Sequence, residues 1–254
     1  MNKRTRNGQV GLLMLVIMGV VVALVMSIAS RSLSDTVLSR QEKESSIAFS
    51  LAETGVENAL ALLTDNPSVN TESNLTNMQY KIALSTAYDM YVKELETAHL
   101  DMTGFVGSIN ISWTLKSDKN EDLACVSDVS MGSAAAIEVV AINQNTNSLS
   151  RSYFKSSSCN SIANGFTASL DGGDKYRSTI SYAVPAGTTM LRVKPIYNGA
   201  SLLISGVGMP KQQYKINSKA VGGDAQKEIE VKRGLEAPAS VFDYSVFTSG
   251  TIVK

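Results

Sequence analysis

The chain has 254 residues, of which 44% are hydrophobic and 18% charged, a composition that excludes a wholly disordered protein. Its 23 basic and 23 acidic residues cancel, but residues 1–29 hold three basic residues and no acidic one, so the remaining body is mildly acidic. Such a body argues against bulk electrostatic binding of nucleic acid. One histidine and two cysteines exclude His-rich zinc sites, HExxH metalloproteases and four-thiolate sites, so we expect no metal and no cofactor.

The first predicted element is a membrane-spanning helix. Residues 10–29 form a run of 20 without a charge, in which Ser27 is the one polar side chain. As a helix this run is about 30 Å long, the thickness of a bilayer's hydrocarbon core. The basic residues Lys3, Arg4 and Arg6 precede it, which predicts a cytoplasmic N-terminus and a body outside the cytoplasmic membrane.

Three fates are open to this segment: an uncleaved signal anchor, a signal peptide cut after Ala29, or a cytoplasmic cut after Gly8 that leaves the apolar helix on the mature chain. The continuation decides among them, because no Gly or Pro occurs between Gly19 and Gly55. Apolar residues recur there at steps of three and four, which is typical of one helical face. The helix should end near Pro67, since the residue before proline avoids helical angles. One helix over residues 9–65 is therefore predicted, with a transmembrane half and an amphipathic half.

These residues also carry a family resemblance. The basic leader 1–8 ending in Gly8, the apolar helix beginning at Gln9 and its amphipathic continuation together resemble the type IV pilin superfamily. The segment 48–60, AFSLAETGVENAL, is similar to the AFxxAExGxExAL stretch of PilX-like minor pilins and of type II secretion pseudopilins. Within this segment the helix motif comprises Ala52, Glu53, Gly55, Val56 and Glu57. The resemblance covers about residues 1–65.

The resemblance implies processing and partners. A prepilin peptidase in the membrane would cut between Gly8 and Gln9 and methylate the new N-terminus, and other pilin subunits would pack along the helix. Major pilins usually have Phe at the first mature position and Glu at the fifth, where this chain has Gln9 and Leu13. A missing carboxylate is typical of subunits at a filament tip, so the resemblance favours a minor, tip or assembly-initiating subunit.

The body, residues 68–254, changes to β-type patterning, with short alternating or β-branched runs between turn residues. Strands are predicted near Met78–Thr86, Ile109–Lys116, Ala136–Asn143, Ser150–Ser156, Phe166–Leu170, Arg177–Val184, Met190–Tyr197, Ser201–Val207, Gln213–Asn217, Glu228–Lys232 and Phe242–Thr248. Residues 88–100 fit either a strand or a short helix. Asn198-Gly199 is the strongest hairpin signal. The fold class is therefore α+β: the long helix, then a mainly antiparallel β-sandwich head, either whole or in two β-units split near residues 157–164.

Cys125 and Cys159 are expected outside the cytoplasm, where disulfides persist. A bridge between them would close a loop of about 34 residues and stabilise the fold by about 3–4 kcal/mol. The alternative is two separate free thiols.

Other candidate sites have plainer explanations. Three aspartates lie in glycine turns and offer oxygen ligands to calcium: Asp171, Asp174 and Asp224. No EF-hand or nonapeptide spacing accompanies them, so solvated turns are favoured over a calcium site. His99 near Glu94 and Glu96 could act as a base, yet no activated-nucleophile motif accompanies it. No enzymatic activity is expected.

The C-terminal quarter is locally basic, with Lys211, Lys215, Lys219, Lys227, Lys232 and Arg233. Three acidic residues are interleaved with them: Glu228, Glu230 and Glu236. A solvated strand face is therefore favoured over contact with DNA phosphates. Trp113 alternates with apolar neighbours and is predicted to lie in the core. Tyr182, Tyr197 and Tyr244 fit either an adhesive surface or ordinary packing.

Together with this resemblance, the sequence predicts a non-catalytic minor or tip pilin of a type IV pilus-like filament, acting in pilus assembly, adhesion, motility or DNA uptake. It would sit in the cytoplasmic membrane by a single pass and move to a pilus or the cell surface after assembly. The alternative is a membrane-anchored extracytoplasmic binding or adhesion protein that never enters a filament. The sequence points to no ligand for the head, and DNA is only weakly supported.

Overall fold

The structure is a computed structural model that describes residues 7–66, 70–116, 125, 134–146, 148–159 and 164–235; for residues 7–10 and 158 it describes the backbone alone. Helix α1 runs without a break over Asn7–Asp65, 59 residues. Its last turn is closed by the Asn66 amide, which donates to the Leu62 carbonyl at 2.9 Å. The helix ends two residues before Pro67, as the avoidance of helical angles before proline requires. The prediction of one long N-terminal helix is confirmed.

Fourteen strands follow in the described residues: β1 Glu72–Leu75, β2 Met78–Ser85, β3 Tyr88–Val92, β4 Ala98–Asp101, β5 Ser108–Leu115, β6 Ala136–Asn143, β7 Ser148–Lys155, β8 Thr167–Ala168, β9 Leu170–Asp171, β10 Tyr176–Ala183, β11 Met190–Ile196, β12 Ala200–Ser205, β13 Gln213–Gly222 and β14 Ala225–Gly234. A short 3₁₀ helix occupies Ser157–Cys159. The predicted strand Phe242–Thr248 lies outside the described residues.

Contacts divide the chain into two compact units. The first comprises residues 1–67, 72–81 and 217–229, and therefore holds α1 and much of a four-stranded sheet of order β1-β2-β13-β14. Within that sheet β1 and β2 form an antiparallel hairpin, and Gly222-Gly223-Asp224 lies where β13 turns into β14. Both β13 and β14 are longer than the sequence pattern predicted.

The second unit comprises residues 68–71, 82–216 and 230–254 and holds two five-stranded sheets. Their orders are β3-β12-β5-β10-β9 and β4-β11-β6-β7-β8. Inward-facing residues of both sheets form one hydrophobic core, with Trp113 fully buried in it and its indole N–H donating to the Ala135 carbonyl at 2.8 Å. The α+β fold, with a long helix and an antiparallel β-sandwich head, is therefore shown, and so is the core position of Trp113.

Residues 88–100, which the pattern left between strand and helix, form two strands. β3 pairs with β12 in one sheet and β4 with β11 in the other, so this segment crosses from one sheet to its partner. The predicted strand Phe166–Leu170 is likewise two strands, because the chain changes sheets at Ser169. β8 pairs with β7, and β9 pairs with β10. An apolar run alone does not show such a crossing.

The hairpin predicted at Asn198-Gly199 was wrong. Asn198 does make a tight turn, since its side-chain oxygen accepts the Gly199 amide at 2.8 Å. However, β11 and β12 on either side belong to different sheets, so the turn connects the two layers of the sandwich. Turn chemistry fixes where the chain bends, and it does not fix which strands then pair.

Strands from before and after residues 157–164 share both sheets of the second unit, so the head has no boundary there. Cys125 and Cys159 are joined by a disulfide with a Cα–Cα distance of 5.0 Å. Cys159 is buried beside Ala134. The predicted bridge is confirmed, and the free-thiol alternative is excluded.

Candidate functional site: the long helix and the sheet that covers it

The first part of α1 is apolar and uncovered. Its large apolar side chains from Leu12 to Ile28 are each more than half exposed. The helix is long and apolar enough to cross a membrane, by its length and composition. This supports single-pass anchoring of the chain. The predicted cleavage site, Gly8–Gln9, lies in the first turn of α1, which begins at Asn7.

The second part of α1 has one buried face. Six residues at helical spacing are buried: Ala48, Ala52, Gly55, Val56, Ala59 and Leu63. Upstream of them Leu33, Val37 and Leu38 are exposed, although they belong to the apolar residues that recur at steps of three and four. The amphipathic half of α1 therefore has a buried face only from residue 48 onward.

The five motif residues divide between the two faces of the helix. Ala52 and Val56 are buried and Gly55 lies between them, whereas Glu53 and Glu57 are exposed. The motif thus combines a small-residue contact surface with two carboxylates on the solvent side. The sequence showed the residues but gave no means of separating these two roles.

Gly55 allows the helix and the sheet to approach closely. A Cβ atom placed on Gly55 would overlap the hydroxyl oxygen of Ser218 on β13 and lie 3.2 Å from the Met78 sulfur on β2. Ser218 is fully buried, and its hydroxyl makes no hydrogen bond among the described residues. Any larger residue at position 55 would have to push the sheet away.

The turn between β13 and β14 holds the helix at the point where its covered part begins. A Cβ on Gly222 would lie 2.6 Å from the Glu44 carbonyl oxygen and 2.7 Å from the Ala48 nitrogen. The Asp224 amide donates to the Glu44 carboxylate at 3.1 Å, and the Arg40 guanidinium donates to the same carboxylate at 2.7 Å. The hydrogen bond from Arg40, then that from Asp224, lowers the pKa of Glu44. We name this contact, made by Arg40, Glu44 and residues 222–224, the hairpin clasp.

Large apolar side chains also remain on the uncovered face of the second half of α1. Ile47 and Phe49 are 45% and 48% exposed, and Leu62 is 37% exposed. Exposed apolar groups on a helix that is already packed against its own sheet are available for contact with another helix. These positions extend the uncovered surface beyond the membrane-length segment.

Two of the three aspartates considered for calcium are engaged in other contacts, and the third, Asp174, is an exposed turn residue. Asp171 pairs with the Lys116 ammonium at 2.9 Å and accepts the Gly173 amide at 3.0 Å. The bond from Lys116 is the first cause that lowers the pKa of Asp171. Asp224 belongs to the hairpin clasp in the other unit. Among the residues that the structure describes, no three of His, Cys, Asp and Glu are grouped as metal ligands would be.

His99 lies on β4 and packs beside Arg192, whose Nη2 is 3.5 Å from its Nε2. Glu94 and Glu96 precede β4 in the turn that follows β3, and Glu96 pairs with Lys93 at 3.9 Å. His99 therefore lies within a sheet beside an arginine, which is the setting of an ordinary strand residue.

Lysines of the C-terminal quarter are largely matched by acids. Lys215 pairs with Glu230 at 2.9 Å, Lys219 with Glu228 at 3.3 Å, and Lys232 with Asp89 at 2.7 Å. Such neutralisation weakens the case for a phosphate-binding surface on β13 and β14. Glu236 lies outside the described residues.

The three tyrosines are not brought together. Tyr182 is buried in the sandwich core, Tyr197 stacks against Phe166 with ring centroids 6.1 Å apart, and Tyr244 lies outside the described residues. Phe166 also stacks on Tyr153 at 5.1 Å. The sequence gave no sign of this aromatic row, because its members come from three separate segments.

Sequence reasoning also missed a buried charge cluster. Glu138 is almost fully buried and pairs with Lys194 at 2.7 Å and with Arg151 at 2.9 Å, while the Tyr153 hydroxyl donates to it at 3.0 Å. Burial alone would raise the pKa of Glu138, but the hydrogen bond and the charge of Lys194, the bond from Tyr153 and the charge of Arg151 together lower it. The sequence gave no sign of this cluster, because its members come from three separate strands, β6, β7 and β11.

Comparison with known proteins adds no relative. No protein-family model matches the chain, and searches of curated proteins and of solved structures find no match.

Proposed function

We propose that this protein is a minor or tip subunit of a type IV pilus-like filament and that its role is structural and non-catalytic. One observation carries the proposal: α1 is a single 59-residue helix whose first part is apolar and uncovered and whose second part packs on its own sheet. A signal peptide needs no such continuity, and a plain anchor needs no packing of its helix on a sheet.

The uncovered helix surface fits a filament core. A helix that is apolar all round can leave lipid and enter a bundle of similar helices at little cost, because both surroundings are apolar and packing then decides. Ile47 and Phe49 carry this surface past the membrane segment. The hairpin clasp would hold the turn between β13 and β14 against the helix at Glu44. The partners in this proposal are other pilin subunits, the prepilin peptidase and the membrane.

The resemblance in residues 1–65 supplies the finer parts of the proposal. They are a cut between Gly8 and Gln9, a cytoplasmic N-terminus with the head outside, and a place at the tip rather than along the fibre, since Leu13 occupies the position of the usual carboxylate.

The test is the mass and N-terminal sequence of the chain purified from cell envelopes. The proposal expects a chain that begins at N-methylated Gln9 and that appears in sheared surface filaments. Gly8→Leu should block the cut and remove the protein from filaments. Gly11→Leu is the matched control, since no atom lies within 4 Å of a Cβ placed there, and it should be processed normally.

A second function rests on the same anchor. A membrane-anchored binding protein that stays out of filaments would keep Met1 and would be insensitive to Gly8→Leu. That result, or a chain that begins at Ser30, contradicts the pilin proposal.

A further inference from the structure

Two valines at one end of the sandwich are almost wholly exposed. Val106, between β4 and β5, is 85% exposed, and Val207, between β12 and β13, is 99% exposed. Each loop nevertheless buries a neighbouring apolar residue, Phe105 in the first and Met209 in the second. Both loops therefore place one apolar side chain in the core and direct another into solvent.

The two loops adjoin each other. β5 and β12 are paired up to Asn110 and Ser205, and the loops leave this strand pair at the same end. Gly206 packs directly on Ile109, since a Cβ placed on it would lie 2.9 Å from the Ile109 Cγ2. The valines thus lie on neighbouring tips of one rigid strand pair.

The backbone holds the valines outward. Gly104 and Gly208 have φ of 75° and 81°, a left-handed conformation that glycine adopts at little cost. The Phe105 amide donates to the Met102 carbonyl at 2.9 Å, which closes the first turn. The exposure is therefore built into the turns.

A third loop completes this end of the sandwich. The Val184 amide donates to the Gly107 carbonyl at 3.0 Å, and the Met102 amide donates to the Thr189 carbonyl at 2.9 Å. Between those two contacts lies Pro185-Ala186-Gly187, which is exposed. We name residues 102–108, 184–189 and 206–210 the valine pole.

The valine pole contains no charged residue, although 18% of the whole chain is charged. The adjoining turn after β6, residues 143–146, is also uncharged, and its Gln144 amide approaches the Thr189 hydroxyl at 3.3 Å. The flanking charges are one acid, Asp101, whose carboxylate accepts the Thr103 amide, and one base, Lys211. Exposed valines are thus surrounded by uncharged Thr, Ser, Asn and Gln.

We propose that the valine pole inserts shallowly into a lipid surface of no net charge. Two apolar side chains held out on separate turns can enter a fluid surface, which needs no complementary shape, and burial of their apolar area there is favourable. A charge at this depth would be costly, and the pole has none. Recognition of an anionic membrane would call for clustered Lys or Arg, which the pole lacks. The proposal concerns what the head touches and does not depend on filament assembly.

The test uses the full chain in phosphatidylcholine nanodiscs, where the apolar helix already has its bilayer. An environment-sensitive nitrobenzoxadiazole dye is attached at Val207→Cys, phosphatidylcholine vesicles are added, and quenching by nitroxide-bearing lipid is measured in the disc and in the vesicle separately. The dye should brighten about twofold or more and be quenched by one of the two bilayers, as apolar burial at a membrane predicts. The matched control is the dye at Leu170→Cys, a position that is 71% exposed on β9, and it should remain unquenched.

A second measurement removes the valines without a dye. Val106→Asp combined with Val207→Asp should lower co-flotation of the nanodisc-embedded chain with added vesicles by about tenfold. If the pole contacts its own disc instead, the same double substitution should lower the quenching of a dye at Ala186→Cys by about tenfold. Leu170→Asp should have no effect. Native Trp113 fluorescence and an intact Cys125–Cys159 bridge verify that the variants fold.

Three results would overturn the proposal: no quenching at position 207 by either bilayer, contact that survives the double substitution, or contact that requires anionic lipid. A fourth, association between discs that occurs without vesicles and is lost in the double variant, would assign the pole to a protein partner instead. The pilin proposal is judged separately, by the start of the mature chain at Gln9.

Discussion

The helix contact of the first unit and the core of the second are built in opposite ways. Where α1 meets its sheet the residues are small, chiefly Ala48, Ala52 and Gly55, and backbones approach closely. The sandwich core is filled by large side chains around Trp113. The first contact should therefore be damaged by adding atoms and the second by removing them.

The largest expected effect comes from truncating a large side chain in the core of the sandwich. Trp113→Ala should lower the free energy of unfolding of the sandwich by about 3–5 kcal/mol, because it empties a fully buried site and removes the indole N–H that donates to the Ala135 carbonyl. Urea unfolding of the full chain in mild detergent, followed by circular dichroism, measures it. Trp113→Phe should cost clearly less. Equal losses for the two variants would show that volume is not what the site requires.

The next effect is confined to the second unit. Cys125→Ser with Cys159→Ser should destabilise the sandwich by about 3–4 kcal/mol, since the bridge closes a loop between residues 34 apart. Limited proteolysis should then cut the sandwich at lower urea while the helix contact of the first unit stays protected. Simultaneous loss of protection in both units would mean that they unfold as one.

The converse change adds atoms to the contact between α1 and its sheet, where the residues are small. Gly222→Val should destabilise the first unit by about 1–3 kcal/mol, because the new side chain meets the helix backbone at Glu44 and Ala48. Hydrogen exchange of the amides of residues 44–56 should accelerate. Gly11→Val, which meets no atom within 4 Å, is the control and should leave that exchange unchanged.

The smallest effect is on the pH dependence of the free energy of unfolding of the sandwich. Burial, with a smaller contribution from Glu96, raises the pKa of Tyr88 to about 12. The folded state therefore keeps a proton that the unfolded chain loses near pH 10, so this stabilisation is complete below pH 10 and is lost as the pH rises towards 12. Urea midpoints between pH 9 and about 12 measure it. Tyr88→Phe should flatten part of the decline, and an unchanged slope would contradict the assignment.

Much of the fold was accessible from sequence because its signals are local. The run of apolar residues and the absence of proline before Pro67 predicted α1, and alternation located most long strands. Sheet membership was not accessible. Asn198-Gly199 has hairpin chemistry, but the pairing of β11 and β12 is decided by distant strands, which no local pattern encodes.

The site was accessible in part for the same reason. The motif residues from Ala52 to Glu57 could be found from their spacing, and the bridge between Cys125 and Cys159 from the cysteine count. The hairpin clasp was not foreseen, since it joins Glu44 to a turn 180 residues later. Nor were the exposed valines, because Val106 and Val207 read as ordinary apolar residues until the turns around them are known.

The exposed length of α1 between its apolar segment and the hairpin clasp has a mechanical consequence. Residues 30–39 are exposed on all sides, just before Arg40, the first residue of the clasp. A pulling force along α1 would act there on backbone hydrogen bonds that are open to water. Uncoiling this stretch would lengthen it from about 15 Å to about 33 Å. The helix thus carries an extensible stretch between its apolar segment and the clasp, one that would recoil when tension is released.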